Sequence, residues 1–412
     1  MEHVAHEMEK RGMTTPLLIG GATTSKEHTA VKIAPNYSHP VIHVKDASLA
    51  AGVAGNLLND KNRESFVKDL KEQQEKTRQK HLERRNAKKY LSLEEARSNK
   101  IDVDWEAQKI IKPQFIGNKI IESYDLKPLK DYIDWTFFFF AWDLKGKYPK
   151  IFDDPLKGEE AKQLFEDGKE MLDELIDNKW LKAKVLLGFY PTVSRGDDIL
   201  VFEKEEDTKP FEVLNFLRNQ QRRDDGVNWC TSDFVMPEEF GKKDYTGFFI
   251  VSTGFGSDEA YRHFADKNDD YRAIMVRVLA DRLAEALAEK LHEEVRRTHW
   301  GYAPDENLSL EHLLKETYQG VRPAIGYPSL PDHSEKEKLF HMLDPEKKSG
   351  IYLTESHMMI PAASVSGYYF YHPHTKYFDV GKISKEQLED YARRKGIPVE
   401  KAEKLLARNL NY

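Results

Sequence analysis

Two rhythms of hydrophobic and polar positions run through this 412-residue chain. The longest helical one lies between Asp270 and Arg297, where Val276, Leu279, Leu283, Leu287, Leu291 and Val295 recur at steps of three and four. That spacing places them on one face and predicts a long helix buried along it. Glu159 to Ile176 is a second amphipathic stretch, with Ala161, Leu164, Phe165, Gly168, Leu172, Leu175 and Ile176 on one side. The other rhythm is that of strands. Lys184 to Phe189 and Ile199 to Glu203 flank an Arg195-Gly196-Asp197 turn and predict an antiparallel hairpin. Gly247 to Ser252, Tyr352 to Ser356, Gly367 to Tyr371 and Tyr377 to Val380 add strand-like pieces, the last three rich in aromatics. Ser384-Lys385-Glu386-Gln387 opens a final helical pair, broken at Gly396-Ile397-Pro398. The part from residue 90 to 412 therefore reads as an α+β domain with an antiparallel sheet and long helices.

The first part has a different rhythm. Pro16 to Ile19 reads as a short buried strand, and Gly20-Gly21-Ala22-Thr23 as a tight turn. Thr24-Ser25-Lys26-Glu27 is a capping box for a helix to about Ile33; a strand Val41 to Val44 and a helix from about Ser48 to Asn59 follow. This order suits a parallel, Rossmann-like α/β sheet, whose ligands sit outside the C-terminal strand ends. Between residues 60 and 89, 17 of 30 positions are Lys, Arg, Asp or Glu. The zone reads as a solvated helix with charge pairs one turn apart, a docking patch for an acidic partner being the alternative. The organisation expected is an incomplete α/β domain over 1–68, a charged helical linker over 69–89, and the α+β domain over 90–412.

Composition narrows the function classes. Charged residues make up 32% and the net charge is −7, which argues against a general affinity for nucleic acid or anionic membrane. The longest wholly apolar run, Phe137 to Trp142, falls far short of the ~20 residues that span a bilayer. Met1 to Gly12 lacks the apolar core of a signal peptide, so the cytoplasm is the expected location. A lone cysteine, Cys230, allows neither an intrachain disulfide nor a multi-thiolate metal site, and no metal ligands are assigned.

Candidate chemistry concentrates in Arg322-Pro323-Ala324-Ile325-Gly326-Tyr327-Pro328-Ser329-Leu330-Pro331-Asp332-His333. Upstream, Leu308 to Gln319 reads as a helix closed by Gly320; downstream, Ser334-Glu335-Lys336-Glu337 reads as a capping box. Prolines fix their own φ and hold the residue before them extended, so a stiff extended loop is expected between the two helices.

This string resembles the signature of the S-adenosylmethionine (AdoMet)-binding reactivation domain of cobalamin-dependent methionine synthase. Tyr132-Ile133-Asp134-Trp135-Thr136, Gly146-Lys147-Tyr148-Pro149, Tyr302-Ala303-Pro304, Leu353-Thr354-Glu355-Ser356 and Ala363-Ser364-Val365-Ser366-Gly367 are similar to family segments in family order. The likeness covers nearly the whole chain. It implies that Arg322 grips the ligand carboxylate, that Asp134 meets its ammonium, and that backbone at Ala324 and Gly326 approaches it. It also implies that Tyr377 and Phe378 form the aromatic pair beside it, and that Glu316 bonds a ligand amine or orients Arg322. Tyr327 and His333 are expected to face cobalamin, with Gly20, Gly21 and Ala47 bordering the slot for that cofactor's nucleotide tail.

The chain also departs from the family pattern. The Asp-x-His-x-x-Gly motif that supplies the lower cobalt ligand occurs nowhere, and one cysteine cannot build the zinc site that activates homocysteine. Phe378 stands where the family often has tyrosine, and Phe137 replaces a common proline. The reading is a C-terminal methionine synthase segment, a partial methyltransferase with no catalytic dyad. It would serve reductive remethylation of cob(II)alamin, with cobalamin borne by another domain or polypeptide and the electron supplied by a flavodoxin-like reductant. A free-standing AdoMet-binding or flavoprotein-docking module is the alternative.

Overall fold

The computed structural model describes residues 1–20, 24–44, 50–87, 90–223 and 226–412, with the side chains of residues 60 and 81–87 outside the description. It divides into two compact units, Met1–Lys89 and Tyr90–Tyr412.

In the first unit a helix, α1 (Glu2–Lys10), precedes two short strands, β1 (Leu17–Ile19) and β2 (Val41–His43). They pair in parallel, Leu17 opposite Val41 and Ile19 opposite His43. The helical winding between them starts at Ser25, whose hydroxyl accepts from the His28 amide at 3.0 Å and so satisfies a donor left free by the first turn. Ala5, Ile19, Ile33, Tyr37 and Val41 close a small core.

Two more helices follow, α2 (Ala50–Leu58) and α3 (Asp60–Ala87). The charged zone is thus helical as far as Ala87, and one helix runs through the position where the sequence suggests a boundary. Its first half is not solvated all round. Phe66, Val67 and Leu70 pack on Ile42, Val44 and Leu57, and Gln74 donates to the Val41 carbonyl at 2.7 Å.

The second unit is built on an antiparallel sheet of β3 (Gly117–Tyr124), β4 (Lys182–Arg195), β5 (Asp198–Val201), β6 (Glu212–Asn215), β7 (Asp244–Phe255) and β10 (Ser364–Tyr369). The order runs β10-β7-β4-β5-β6, with β3 also on β4. β4 is long enough to pair β3 along its first half and β5 along its second, through the expected hairpin with Gly196 at φ +60°.

Both faces of this sheet are buried. Val185, Leu187, Phe249, Val251 and Tyr369 point into a core shared with α4 (Trp135–Ala141), α5 (Gly158–Asp177), α6 (Ser257–Ala265) and the long α7 (Asp270–Glu294). Leu186, Phe248, Ile250, Tyr368 and Phe370 point the other way, against α9 (Lys336–Leu343), which lies beyond the short α8 (Leu310–Leu314). A minor ribbon, β8 (Tyr352–Leu353) with β9 (Met359–Ile360), precedes β10. The closing helices α10 (Lys385–Lys395) and α11 (Val399–Leu405) meet at Gly396, φ +71°. Among the described residues no helix is long and apolar enough to cross a membrane.

Three local expectations change. The helix expected over 308–319 stops at Leu314, because Glu316 takes the left-handed conformation, φ +54°. Ser334 does not cap the next helix. Asp332 instead caps the 3-10 turn His333–Glu335 that leads into α9, accepting from the Ser334 amide at 2.8 Å, and it is itself fixed by Tyr391 at 2.6 Å and Lys395 at 2.8 Å. Tyr377 to Val380 forms no strand. Its polar groups bond one at a time to surrounding loops, as with the Val380 amide to the Pro328 carbonyl at 3.0 Å.

Candidate functional site

The proline-rich segment is less extended than the sequence suggests. Its first residues run along β10: Val321 and Phe370 exchange amide–carbonyl bonds of 2.9 and 3.0 Å, and Tyr368 donates to the Pro323 carbonyl at 3.1 Å. The crossing is close enough that a Cβ on Gly367 would stand 2.3 Å from the Pro323 oxygen. The chain then folds into a tight turn, with Gly326 donating to the Leu330 carbonyl at 2.7 Å. An edge strand thus holds the Arg322–Ala324 backbone rigidly, and a turn carries Tyr327 outward.

This segment forms one wall of a cavity of about 680 Å³. The cap of α4, one face of α7, the end of α8 and the stretch around Tyr377 complete it. Asp134, Glu316, Arg322, Ala324, Tyr327, Tyr377 and Phe378 all line it, although they come from four separate stretches of chain.

Each of these side chains has a local reason for its place. Asp134 is the N-cap of α4 and accepts from the Thr136 amide at 2.9 Å. That helix is anchored by buried Phe138 and Phe139, and Gly168 of α5 leaves room for the Phe138 ring, 2.7 Å from where a Cβ would be. Arg322 donates from Nη2 to Glu289 on α7 at 2.8 Å, and its amide donates to the Tyr377 hydroxyl at 2.9 Å. Arg322 Nε is buried with no partner among the described residues, as is Glu289 Oε1.

The lining is strongly acidic, with Asp134, Glu285, Glu289, Glu316 and Asp379 against Arg282 and Arg322. Burial disfavours charge on Arg322, yet Glu289 and the Tyr377 and Tyr318 hydroxyls outweigh it and hold its pKa well above the usual value. Glu316 is pushed up from the ordinary carboxylate range, first by partial burial and then by Glu289, against the pull of Arg322. Tyr327 is raised chiefly by the charge of the nearby Glu285 carboxylate and then by burial. The rim is apolar: Phe137 and Tyr327 are 54% and 56% exposed, with the Arg282 guanidinium 5.7 Å from the Phe137 ring centre.

Gly326 and His333 stand apart from the lining. They touch one another instead, since a Cβ on Gly326 would lie 2.3 Å from the His333 ring. His333 Nδ1 is 3.1 Å from the buried Lys336 ammonium, and burial together with that charge lowers the imidazole pKa. Gly326 also has φ +103°. We expect Gly326→Ala to cost about 1–3 kcal/mol through backbone strain and the ring clash. An unchanged urea midpoint would refute this account of the turn.

In the first unit, Gly20 sits at the C-terminal end of β1, where a Cβ would be 3.2 Å from the Val44 carbonyl oxygen. Gly21 and Ala47 lie outside the described residues. Among the described residues no group of three or more His, Cys, Asp or Glu is arranged to hold a metal ion.

Sequence reasoning missed Glu285, Glu289, Arg282 and Tyr132. The first two were visible as polar residues spaced by one turn on the face of α7 opposite its apolar stripe, but such a face is ordinarily a solvated one.

Residues 125–396 match the family profile described as vitamin B12 dependent methionine synthase, activation domain. The chain belongs to this family. A crystal structure of the MetH reactivation domain bound to AdoHcy is similar to it at 46% identity and a TM-score of 0.76, over 78% of this chain and 99% of that one. The stretch matched to the activation domain encloses every residue that lines the cavity.

Proposed function

We propose that the cavity binds AdoMet and its demethylated product AdoHcy, and that the chain presents AdoMet for the reductive methylation of cobalamin. The observation that carries the reading is Arg322, set in the wall of an acidic cavity of about 680 Å³. That volume lies within the range typical of small-molecule sites. AdoMet carries one carboxylate beside an ammonium and a sulfonium. A guanidinium with an unpartnered Nε suits the carboxylate, and the surplus of carboxylates suits the two cations. Asp134 and Glu316 would meet the ammonium, Tyr377 and Phe378 would flank the sulfonium with their rings, and the Ala324 backbone would edge the adenosine. The similar AdoHcy-bound domain supports the same reading.

AdoMet supplies an electrophilic methyl group on sulfur. In the proposed reaction cob(I)alamin takes that methyl and AdoHcy leaves, after a flavodoxin-like donor has reduced cob(II)alamin by one electron. Such a transfer needs alignment and no proton movement, in keeping with a site of positioning residues. Tyr327, on the exposed rim, and His333, beside it in sequence but outside the cavity, are the proposed cobalamin-facing residues. Gly20 is the described residue proposed for the nucleotide slot. Cobalamin itself and the reductant are proposed as partners carried by other polypeptides or domains.

Calorimetric titration of AdoMet and AdoHcy into the chain tests the reading; a folded chain that takes up neither would sink it. Methyl transfer to a supplied cobalamin-bearing polypeptide then separates remethylation from simple binding. The site also predicts a pH dependence. Glu316 has a raised pKa in the free protein, and a bound cation favours its charged form, so wherever the free carboxyl is protonated binding must displace that proton. AdoMet affinity should therefore fall as pH drops from neutrality toward 4.5, the ordinary glutamate value. Glu316→Gln should flatten that profile. An equally steep profile in the variant would assign the titration to another group.

A further inference from the structure

Two stretches of chain run side by side along one wall of the cavity. Tyr132, just before α4, bonds to Glu293 of α7 and has the Lys290 ammonium 5.3 Å from its ring centre. Five residues on, Phe137 has the Arg282 guanidinium 5.7 Å from its own ring centre. The chain from Tyr132 to Phe137 therefore runs opposite to α7, and Asp134 falls between the two contacts. Along α7, Glu289 marks the place of Arg322, which it holds at 2.8 Å, and Arg282 stands two turns earlier. At 1.5 Å per residue the two positions are about 10 Å apart along the axis. Glu285 and Ala286 line the cavity between them. The wall thus has a charged end at Arg322 and a second end at Phe137 and Arg282.

The second end is chemically different. Phe138 and Phe139 are buried in the core, but Phe137 lines the cavity and stays 54% exposed. A ring left half in water gains free energy when it is covered. Arg282 lines the cavity beside it and, unlike Arg322, forms no ion pair among the described residues. Both groups are planar, and nucleobases stack on phenyl faces and guanidinium planes alike. A nucleoside thioether of an amino acid is two-ended in the same way: a zwitterion, then a thioether and a ribose, then a flat base. With its carboxylate at Arg322, an extended ligand lying along α7 brings its purine to Phe137. We infer that Phe137, with Arg282 beside it, is the stacking platform for the ligand's purine and a determinant of specificity for an aromatic base. The inference rests on the AdoMet/AdoHcy reading of this cavity and adds to it the direction in which the ligand lies.

Two measurements test it. In titrations, Phe137→Ala should weaken AdoHcy about tenfold, while Phe137→Tyr, which keeps a ring, should stay within about threefold of wild type. The ring lies outside the core, so both variants should melt with the wild type. 5′-Methylthioadenosine has the purine but not the amino-acid carboxylate, and Phe137→Ala should weaken it by the same factor. A loss confined to AdoHcy would put the ring at the amino-acid end and overturn the proposal. Unchanged AdoHcy affinity in Phe137→Ala would overturn it too; a fall in methyl transfer alone would make the ring a docking contact. In a crystal structure of the wild-type chain with AdoHcy, the purine should stack on Phe137 with centroids within about 7 Å. A purine elsewhere in the cavity would overturn the platform, and this structure decides if 5′-methylthioadenosine binds too weakly to measure. A wild-type chain that takes up neither nucleoside overturns the ligand reading itself, and that failure is recognised because it appears without any mutation.

Discussion

Arg322→Ala should weaken AdoHcy and AdoMet binding by about 2–5 kcal/mol, a loss of roughly thirtyfold to several thousandfold. The size follows from what is removed. The guanidinium is the cavity's candidate for holding a carboxylate in a fork, and its backbone is fixed by β10 and by the Tyr377 hydroxyl at 2.9 Å. Arg322→Lys should recover only part of the loss, since an ammonium cannot make the planar two-pronged contact. The alanine variant should also lose stability, because Glu289 at 6% exposure is left without its cation. For a closed interior the cost would be about 3–5 kcal/mol; the cavity admits water, so the lower end applies. Arg322→Ala combined with Glu289→Gln separates the two effects. The double variant should regain the urea midpoint of the wild type while binding stays lost. If binding returns along with stability, Arg322 acts through folding and not through the ligand.

Where sequence and structure agree, the determinant is local. The apolar stripe of α7, the hairpin about Gly196 and the interruption at Gly396 each depend on residues within a turn or two of each other. The proline-rich segment stood out for the same reason, and it does carry Arg322, Ala324 and Tyr327 to the cavity. Where they part, a distant partner decides. Ser334 and Asp332 are both good capping residues two positions apart, and it is Tyr391 and Lys395 that single out Asp332. Glu316 ends α8 early by taking a positive φ, which costs a non-glycine residue about 1–3 kcal/mol and puts its carboxylate in the cavity lining. Tyr377 to Val380 has strand-forming residues, but Val321 to Ala324 already pair along β10, and the stretch is held instead by single bonds to the proline-rich segment, Tyr377 to the Arg322 amide and Val380 to the Pro328 carbonyl. The polar row on α7 was hardest to read. Periodicity separates an apolar face from a polar one but not a polar face in water from one that lines a site.

The second large effect lies away from the cavity, at Arg218. This residue is 2% exposed and touches three acceptor groups: Asp197 at 2.8 Å, both oxygens of Asp233 at 2.8 Å, and the Asn228 carbonyl at 2.8 Å. Asp197 in turn accepts from Arg97, and Arg97 binds Asp390 on α10, so the cluster ties the C-terminal helices to the sheet. Burial alone would raise the Asp197 pKa, but Arg218, Arg97 and Arg394 together hold it below the usual value. The Cys230 thiol, buried beside Asp197, is pushed up to about 12 and stays protonated.

Arg218→Met fills similar space but leaves Asp197 and Asp233 facing each other without their shared cation. We expect a loss of about 3–5 kcal/mol at pH 7, read as a fall in the urea midpoint. Because the folded pKa of Asp197 is depressed, its contribution is complete above the unfolded carboxylate pKa and is lost as pH falls through the folded value. The gap between wild type and variant should therefore narrow on acidification below the ordinary carboxylate range. A gap that stays constant with pH would assign the loss to packing. A midpoint equal to wild type at pH 7 would mean that Arg97 suffices to hold Asp197 and the Cys230 amide, 2.9 Å away, to hold Asp233.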